Sequence, residues 1–151
     1  MREVVQRAEA LLVRRAYRST PQRRAIIAVL AAKKGEHLTA EEVFAAAKKT
    51  RPRIGLATVY RTLALLGKMG IVHHLRAEDG VSRYELSPAW RKARHHHLIC
   101  LSCGSIREIE AAELDALYEK TALIHKFELV PQPLELWGYC QKCRAGFAAP
   151  R

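Results

Sequence analysis

The sequence predicts an α+β chain built as two small domains, and three observations predict it. Segments of helical period fill the first seventy or so residues and end in two short alternating runs around an Asp-Gly pair. Beyond residue 94 the pattern changes to strand-like alternation with one helix. All four cysteines fall in that second half, as two Cys-X-X-Cys pairs. With 151 residues and 49% hydrophobic content, there is enough chain for one ordinary domain or two small ones.

Across residues 4–14, Val4, Val5, Ala8, Leu11 and Leu12 share one helical stripe, while Arg7, Arg14 and Arg15 lie off it. A second helix starts at Thr20-Pro21, with Thr20 as cap and Pro21 at the first helical position. Ile26, Ile27, Val29 and Leu30 form its apolar face, and Gly35 is expected to stop it. Thr39-Ala-Glu-Glu42 then reads as a capping box ahead of Val43, Phe44 and Ala47. After the break at Arg51-Pro52-Arg53, residues 55–70 form a fourth helix with Val59, Leu63 and Leu66 on its core stripe. Ala57, Thr58, Arg61, Ala64 and Lys68 fall opposite, a basic face of mostly small residues that allows close approach to a partner. Residues 71–76 and 82–86 read as a hairpin around Asp79-Gly80. Helices followed by such a hairpin are the pattern of a winged helix.

The stretch 87–94, with a proline, three cations and no clear period, reads as a linker. The expected division is a first domain over 1–87, a hinge over 88–94 and a second domain over 95–151. In the second, 95–101 and 105–110 read as strands and 112–124 as a helix. Residues 127–139 are expected as a third extended stretch, interrupted by Pro131 and Pro133. A small sheet with one helix leaves edges and apolar faces uncovered, which a second copy would cover.

Lys plus Arg total 26 against 15 Asp plus Glu, a net charge of +11 with pI near 9.9. That balance favours a polyanion, with nucleic acid ahead of a membrane, because no basic cluster borders an apolar segment. The charged N-terminal stretch lacks the apolar run and cleavage pattern of an export signal, and no segment is long and apolar enough to span a bilayer. A cytoplasmic location follows as the expectation, where paired cysteines bind metal more readily than they form disulfides.

Cys100-Leu-Ser-Cys103 and Cys140-Gln-Lys-Cys143 each make a knuckle whose two sulfurs can face one ion. Four thiolates close a tetrahedral zinc shell, so Cys100, Cys103, Cys140 and Cys143 are expected to hold a structural Zn2+. Just upstream, His95 and His97 of a His95-His96-His97 run would share one strand face. Glu108 on the next strand, Glu85 in the hairpin and His37 before the third helix could join them only where the two domains meet. Taken singly, each also reads as an ordinary surface or helix-start residue.

The segments RSTPQRRAI, ATVYRTL, RYE, HHHLICLSCG and GYCQKC, in this order and spacing, resemble the ferric uptake regulator family of bacterial metal-sensing repressors. The resemblance spans nearly the whole chain. It implies a homodimer with an N-terminal winged-helix DNA-binding domain and a C-terminal α/β dimerisation domain. It implies a regulatory site for Fe2+, Mn2+ or Zn2+ at His37, Glu85, His95, His97 and Glu108. On the DNA side it implies base contact by Tyr60, phosphate contact by Arg61 and a minor-groove role for Arg18, beside the outer-face Thr58. The double-stranded operator would be pseudo-palindromic.

Some family members carry a third metal site, but Arg94 and Gln132 stand where its ligands would be expected, so none is expected here. Glu108 leans toward iron sensing, whereas YCQKC resembles peroxide-sensing members; a peroxide-, zinc- or manganese-sensing repressor is the alternative. A constitutive zinc-stabilised DNA-binding protein is the rival from another class. An enzyme is not expected, because the cysteines form a closed set and no nucleophile motif occurs.

Overall fold

The computed structural model describes residues 1–76, 80–87, 90, 95–129 and 133–145. Two units divide the chain, Met1–Arg76 with Val81–Arg91, and Ala77–Gly80 with Lys92–Arg151. The 88–94 linker lies outside the described residues except for Trp90, as do Arg94 and Gln132.

In the first unit, helix α1 (Arg2–Arg14) buries Ala8 and Leu12, two residues of the predicted stripe. Helix α2 (Pro21–Ala32) begins as expected, the Thr20 hydroxyl accepting from the Arg23 amide with proline in the first turn. It ends at Ala32, three residues before the predicted stop, and Gly35 instead takes φ 92 in the following turn. Ser19 Oγ donates to Glu9 Oε1 at 2.6 Å and Arg24 Nε reaches the same oxygen at 2.7 Å, tying α1 to the start of α2.

A two-residue strand, β1 (Leu38–Thr39), was not legible, being too short to carry a period. It leads into α3 (Ala40–Lys48), whose capping box forms as expected: Glu42 N to Thr39 Oγ1 at 3.2 Å, Thr39 N to Glu42 Oε2 at 2.8 Å. Helix α4 (Leu56–Lys68) buries Val59, Leu63 and Leu66, joined by Thr62, and leaves Ala57, Arg61, Ala64 and Lys68 exposed. Strands β2 (Val72–Arg76) and β3 (Ser82–Leu86) complete an antiparallel sheet in the order β1-β3-β2. The hairpin tip at 77–79 lies outside the described residues, while Gly80 holds φ 73, a conformation that favours glycine.

Ile26, Ile27, Leu30, Val43, Val59, Leu63, Leu66 and Ile71 form the centre of this unit's core. Trp90 belongs to the same core, with the Arg7 guanidinium 4.2 Å from its ring centroid.

The second unit centres on β4 (His95–Cys100), flanked by antiparallel β5 (Ile106–Glu110) and parallel β6 (Glu135–Gly138). Helix α5 (Ala112–His125) joins β5 toward β6 and ends at Lys126, a non-glycine residue at φ 50. Among the described residues of the long extended stretch expected over 127–139, only Glu135–Gly138 is a strand. The proline at 133 cannot donate to a ladder, so regular pairing starts beyond it. A final short helix, α6 (Gln141–Arg144), carries the second cysteine pair.

Helix α5 buries no residue, and Leu117, Leu123, Ile124 and nearby Phe127 are exposed, as are Leu98, Leu136 and Trp137 of the sheet. Among the described residues, no helix is long and apolar enough to cross a membrane.

Candidate functional site

The four cysteines meet because β4 and β6 run parallel side by side. Their register sets Cys100 opposite Gly138, which delivers the chain to Cys140 two residues later. Cys140 is the N-cap of α6, and its carbonyl accepts from Cys143 N at 3.0 Å and Arg144 N at 2.9 Å. On the other side, Cys100 and Cys103 enclose a tight turn in which Gly104 takes φ 64 and donates to the Cys100 carbonyl at 2.9 Å. Both knuckles therefore follow from local turns, and the strand pairing brings them together.

The four Sγ atoms lie within 4.8 Å of one another, with Cys103 and Cys140 at 3.9 Å. Tetrahedral zinc with bonds of about 2.3 Å requires sulfurs about 3.8 Å apart, so the set fits that ion. Hydrogen bonds grade the thiols. The Cys140 amide, 3.4 Å from Cys100 Sγ, leads the Cys103 and Ser102 amides in holding the Cys100 thiol down at about 6. Cys140 is likewise lowered, first by the Cys143 amide. The Ser102 hydroxyl favours the Cys143 thiolate, but hydrogen bonding shared with Cys140 and Cys103 outweighs it and pushes that thiol up to about 12. Ser102 and Ser105, the latter 3.3 Å from Cys103 Sγ, are site residues that cysteine spacing alone does not mark.

The predicted histidines and carboxylates divide between the units. In the first, His37 Nε2 lies 3.8 Å from Glu85 Oε2, and the Glu85 side chain is only 1% exposed. His73 is the register partner of Glu85 across β2 and β3, a neighbour that no local pattern marks. A buried carboxylate is costly unless it meets cations or hydrogen-bond donors, so this environment suits a ligand better than a solvated strand charge.

In the second unit, His95 Nε2 lies 3.9 Å from Glu108 Oε1, and the His95 and His97 rings meet edge-on at 4.8 Å. His97 and Glu108 are register partners, which places both on the face shared with His95. All three histidines are buried, against their reading as ordinary surface groups. His96 points away from the pair: its Nδ1 accepts from Leu134 N at 3.0 Å and its ring stacks on Tyr118.

The other predicted surface is α4. Tyr60 is 43% exposed and so is not a core residue, and its hydroxyl donates to Glu41 Oε1 of α3 at 2.6 Å. Arg61 and Arg18 are exposed and Thr58 is half-buried. In the turn between α3 and α4, Arg51 and Arg53 line a concavity of about 270 Å3 together with Gln22, Thr50, Pro52 and Ile54. This supplies cationic surface beside the helix pair.

A winged-helix unit with an exposed basic helix, followed by a unit holding a four-thiol cluster and a buried histidine-carboxylate face, defines a metal-responsive DNA-binding regulator. The profile of the ferric uptake regulator family matches residues 14–137. The ferric uptake regulation protein of Bacillus subtilis is 39% identical over 143 residues, 95% of this chain and 96% of that protein. The Vibrio cholerae ferric uptake regulator, whose structure was described for a rearrangement of its DNA-binding domains, is 32% identical with TM-score 0.70, over 88% of this chain and 99% of the other. A zinc-bound manganese uptake regulator is 37% identical with TM-score 0.61, over 87% and 97%. The chain belongs to the ferric uptake regulator family. Its α+β fold is that of the family, with an N-terminal DNA-binding and a C-terminal dimerisation domain.

Proposed function

We propose that this regulator is an iron-responsive repressor, cytoplasmic and homodimeric, that binds a pseudo-palindromic duplex operator. The observation that carries the reading is a nitrogen-oxygen donor cluster in each unit: His37 with Glu85 in the first, and His95 with His97 and Glu108 in the second. A divalent ion would supply the positive charge for these groups to act as its ligands. The donor set suits Fe2+, Mn2+ or Zn2+, and Fe2+ is the proposed corepressor.

His37 and Glu85 would then fix the DNA-binding unit relative to the strand carrying His95 and His97, selecting the orientation that DNA also selects. Coupling is reciprocal: metal raises DNA affinity and DNA raises metal affinity by the same factor, about 1 to 3 kcal/mol in typical allosteric proteins. Cys100, Cys103, Cys140 and Cys143 would hold a structural Zn2+ in both states, leaving no coordination position for a substrate, as befits a regulator and not an enzyme. The exposed apolar residues of α5 and the second sheet support a homodimer in which they are covered. Thr58, Tyr60 and Arg61 of α4 would enter the major groove, with Arg18 reaching the minor groove.

The test replaces His95 and His97 together with alanine. Operator binding is titrated with Fe2+, Mn2+ and Zn2+ under anaerobic conditions, with total zinc measured in parallel. The expected result is loss of metal-dependent binding with the structural zinc retained. Unchanged metal dependence in a folded dimer would overturn the regulatory site, and metal-independent operator binding by the unaltered protein would establish the constitutive alternative.

A further inference from the structure

Glu41 stands in the first turn of α3, one residue from the capping box that pins that turn. Glu42 closes the capping box with Thr39, while the Glu41 carboxylate meets its own backbone amide and the Thr39 side chain. The Glu41 carboxylate also reaches 19 residues along the chain to the Tyr60 hydroxyl at 2.6 Å. Such a short contact between a phenol and a carboxylate is charge-assisted, stronger than a neutral hydrogen bond and tightly directional. Tyr60 is 43% exposed, so packing covers only part of it and the bond to Glu41 adds a directional constraint on the ring.

We propose that Glu41 is a specificity-determining positioning residue, which fixes the aim of the Tyr60 ring before duplex DNA arrives. The proposal rests on the DNA-binding reading above. An exposed aromatic ring reads a base only from a defined direction, and ordering it beforehand removes an entropic cost from the specific complex. The same carboxylate would face a polyanion, so a complex that does not use the ring gains nothing from Glu41 and meets its repulsion. The hydrogen bond persists through the neutral range. Tyr60 holds the Glu41 carboxyl below its usual value, and Glu41 holds the Tyr60 phenol above its own.

The experiment is a double-mutant cycle on the full chain with Glu41→Ala, Glu41→Gln, Tyr60→Phe and the double variant Glu41→Ala/Tyr60→Phe. An operator is first selected from a random duplex pool in the presence of the activating metal. Affinities are then measured on that operator and on a scrambled duplex of equal composition, and denaturation midpoints check folding. Glu41→Ala is expected to lower the ratio of specific to non-specific affinity on the order of tenfold, the scale of one buried or charge-assisted hydrogen bond. Glu41→Gln, which keeps an acceptor, should retain most of the ratio. In the Tyr60→Phe background Glu41→Ala should lower it no further. An unchanged ratio in Glu41→Ala, or an equal loss with and without the Tyr60 hydroxyl, would overturn the proposal. If the unaltered protein enriches no sequence from the pool, the DNA-binding reading itself fails. An enriched operator that is indifferent to Glu41→Ala overturns the positioning role alone.

Discussion

The Sγ atoms of Cys103 and Cys140 lie 3.9 Å apart although 37 residues separate them in sequence. Cys103 belongs to the turn that leaves β4 and Cys140 opens α6, so whatever joins these sulfurs ties the end of the described chain to the central strand. Zinc bound at this point would close a long loop that contains β5, all of α5 and β6.

Replacing Cys140 with serine is therefore expected to release zinc and destabilise the second unit selectively. Structural zinc sites in small domains contribute a large share of folding free energy, so the loss should be several kcal/mol. Thermal unfolding followed by near-ultraviolet signals of Trp137 in the second unit and Trp90 in the first, each isolated by replacing the other tryptophan with phenylalanine, separates the units. Equal destabilisation of both, or full zinc occupancy in the variant, would contradict the assignment.

Zinc affinity should rise with pH, because the ion displaces protons from thiols that hold them. Cys143, pushed up to about 12, keeps its proton throughout the neutral range and must release it on binding. Cys100, held at about 6, is already a thiolate above that value and adds one further displaced proton only below it. The plot of log affinity against pH should consequently steepen below about pH 6. Competition with a chelator of known affinity across that range measures the slope, and a pH-independent affinity would refute the account.

The capping box gives a purely structural prediction. Thr39→Ala removes the acceptor for Glu42 N and should cost about 1 kcal/mol of stability by urea denaturation. Since β1 pairs with β3 through backbone groups of Leu38 and Thr39, the sheet should survive the change. A loss below a few tenths of a kcal/mol would show that water replaces the cap without cost.

Arg61→Ala tests the phosphate role of the exposed α4 face. A residue that neutralises one phosphate should, when removed, weaken binding to all duplexes alike and reduce the slope of log affinity against log salt by about 0.9. A sequence-selective loss with an unchanged slope would instead make Arg61 a base-reading residue.

What the sequence determined by itself was local. The capping box at Thr39 and Glu42, proline in the first turn of α2, the Val59-Leu63-Leu66 stripe and the two-residue cysteine spacing each depend on neighbours within one helical turn. Period and cap chemistry report such relationships directly. The alternation of His95, His96 and His97 also followed from strand geometry, although their burial did not. Motif resemblance, not periodicity, singled out Tyr60, Arg18 and the full donor set. Tertiary structure decided what joins distant segments: the parallel pairing of β6 with β4 that brings the two knuckles together, the two-residue β1, and the 2.6 Å bond from Tyr60 to Glu41. None of these leaves a trace in local periodicity, because β6 and β1 are too short to show one and Glu41 reads as any acidic residue in a helical first turn. Their partners are chosen by chain packing, and only the folded chain holds that information.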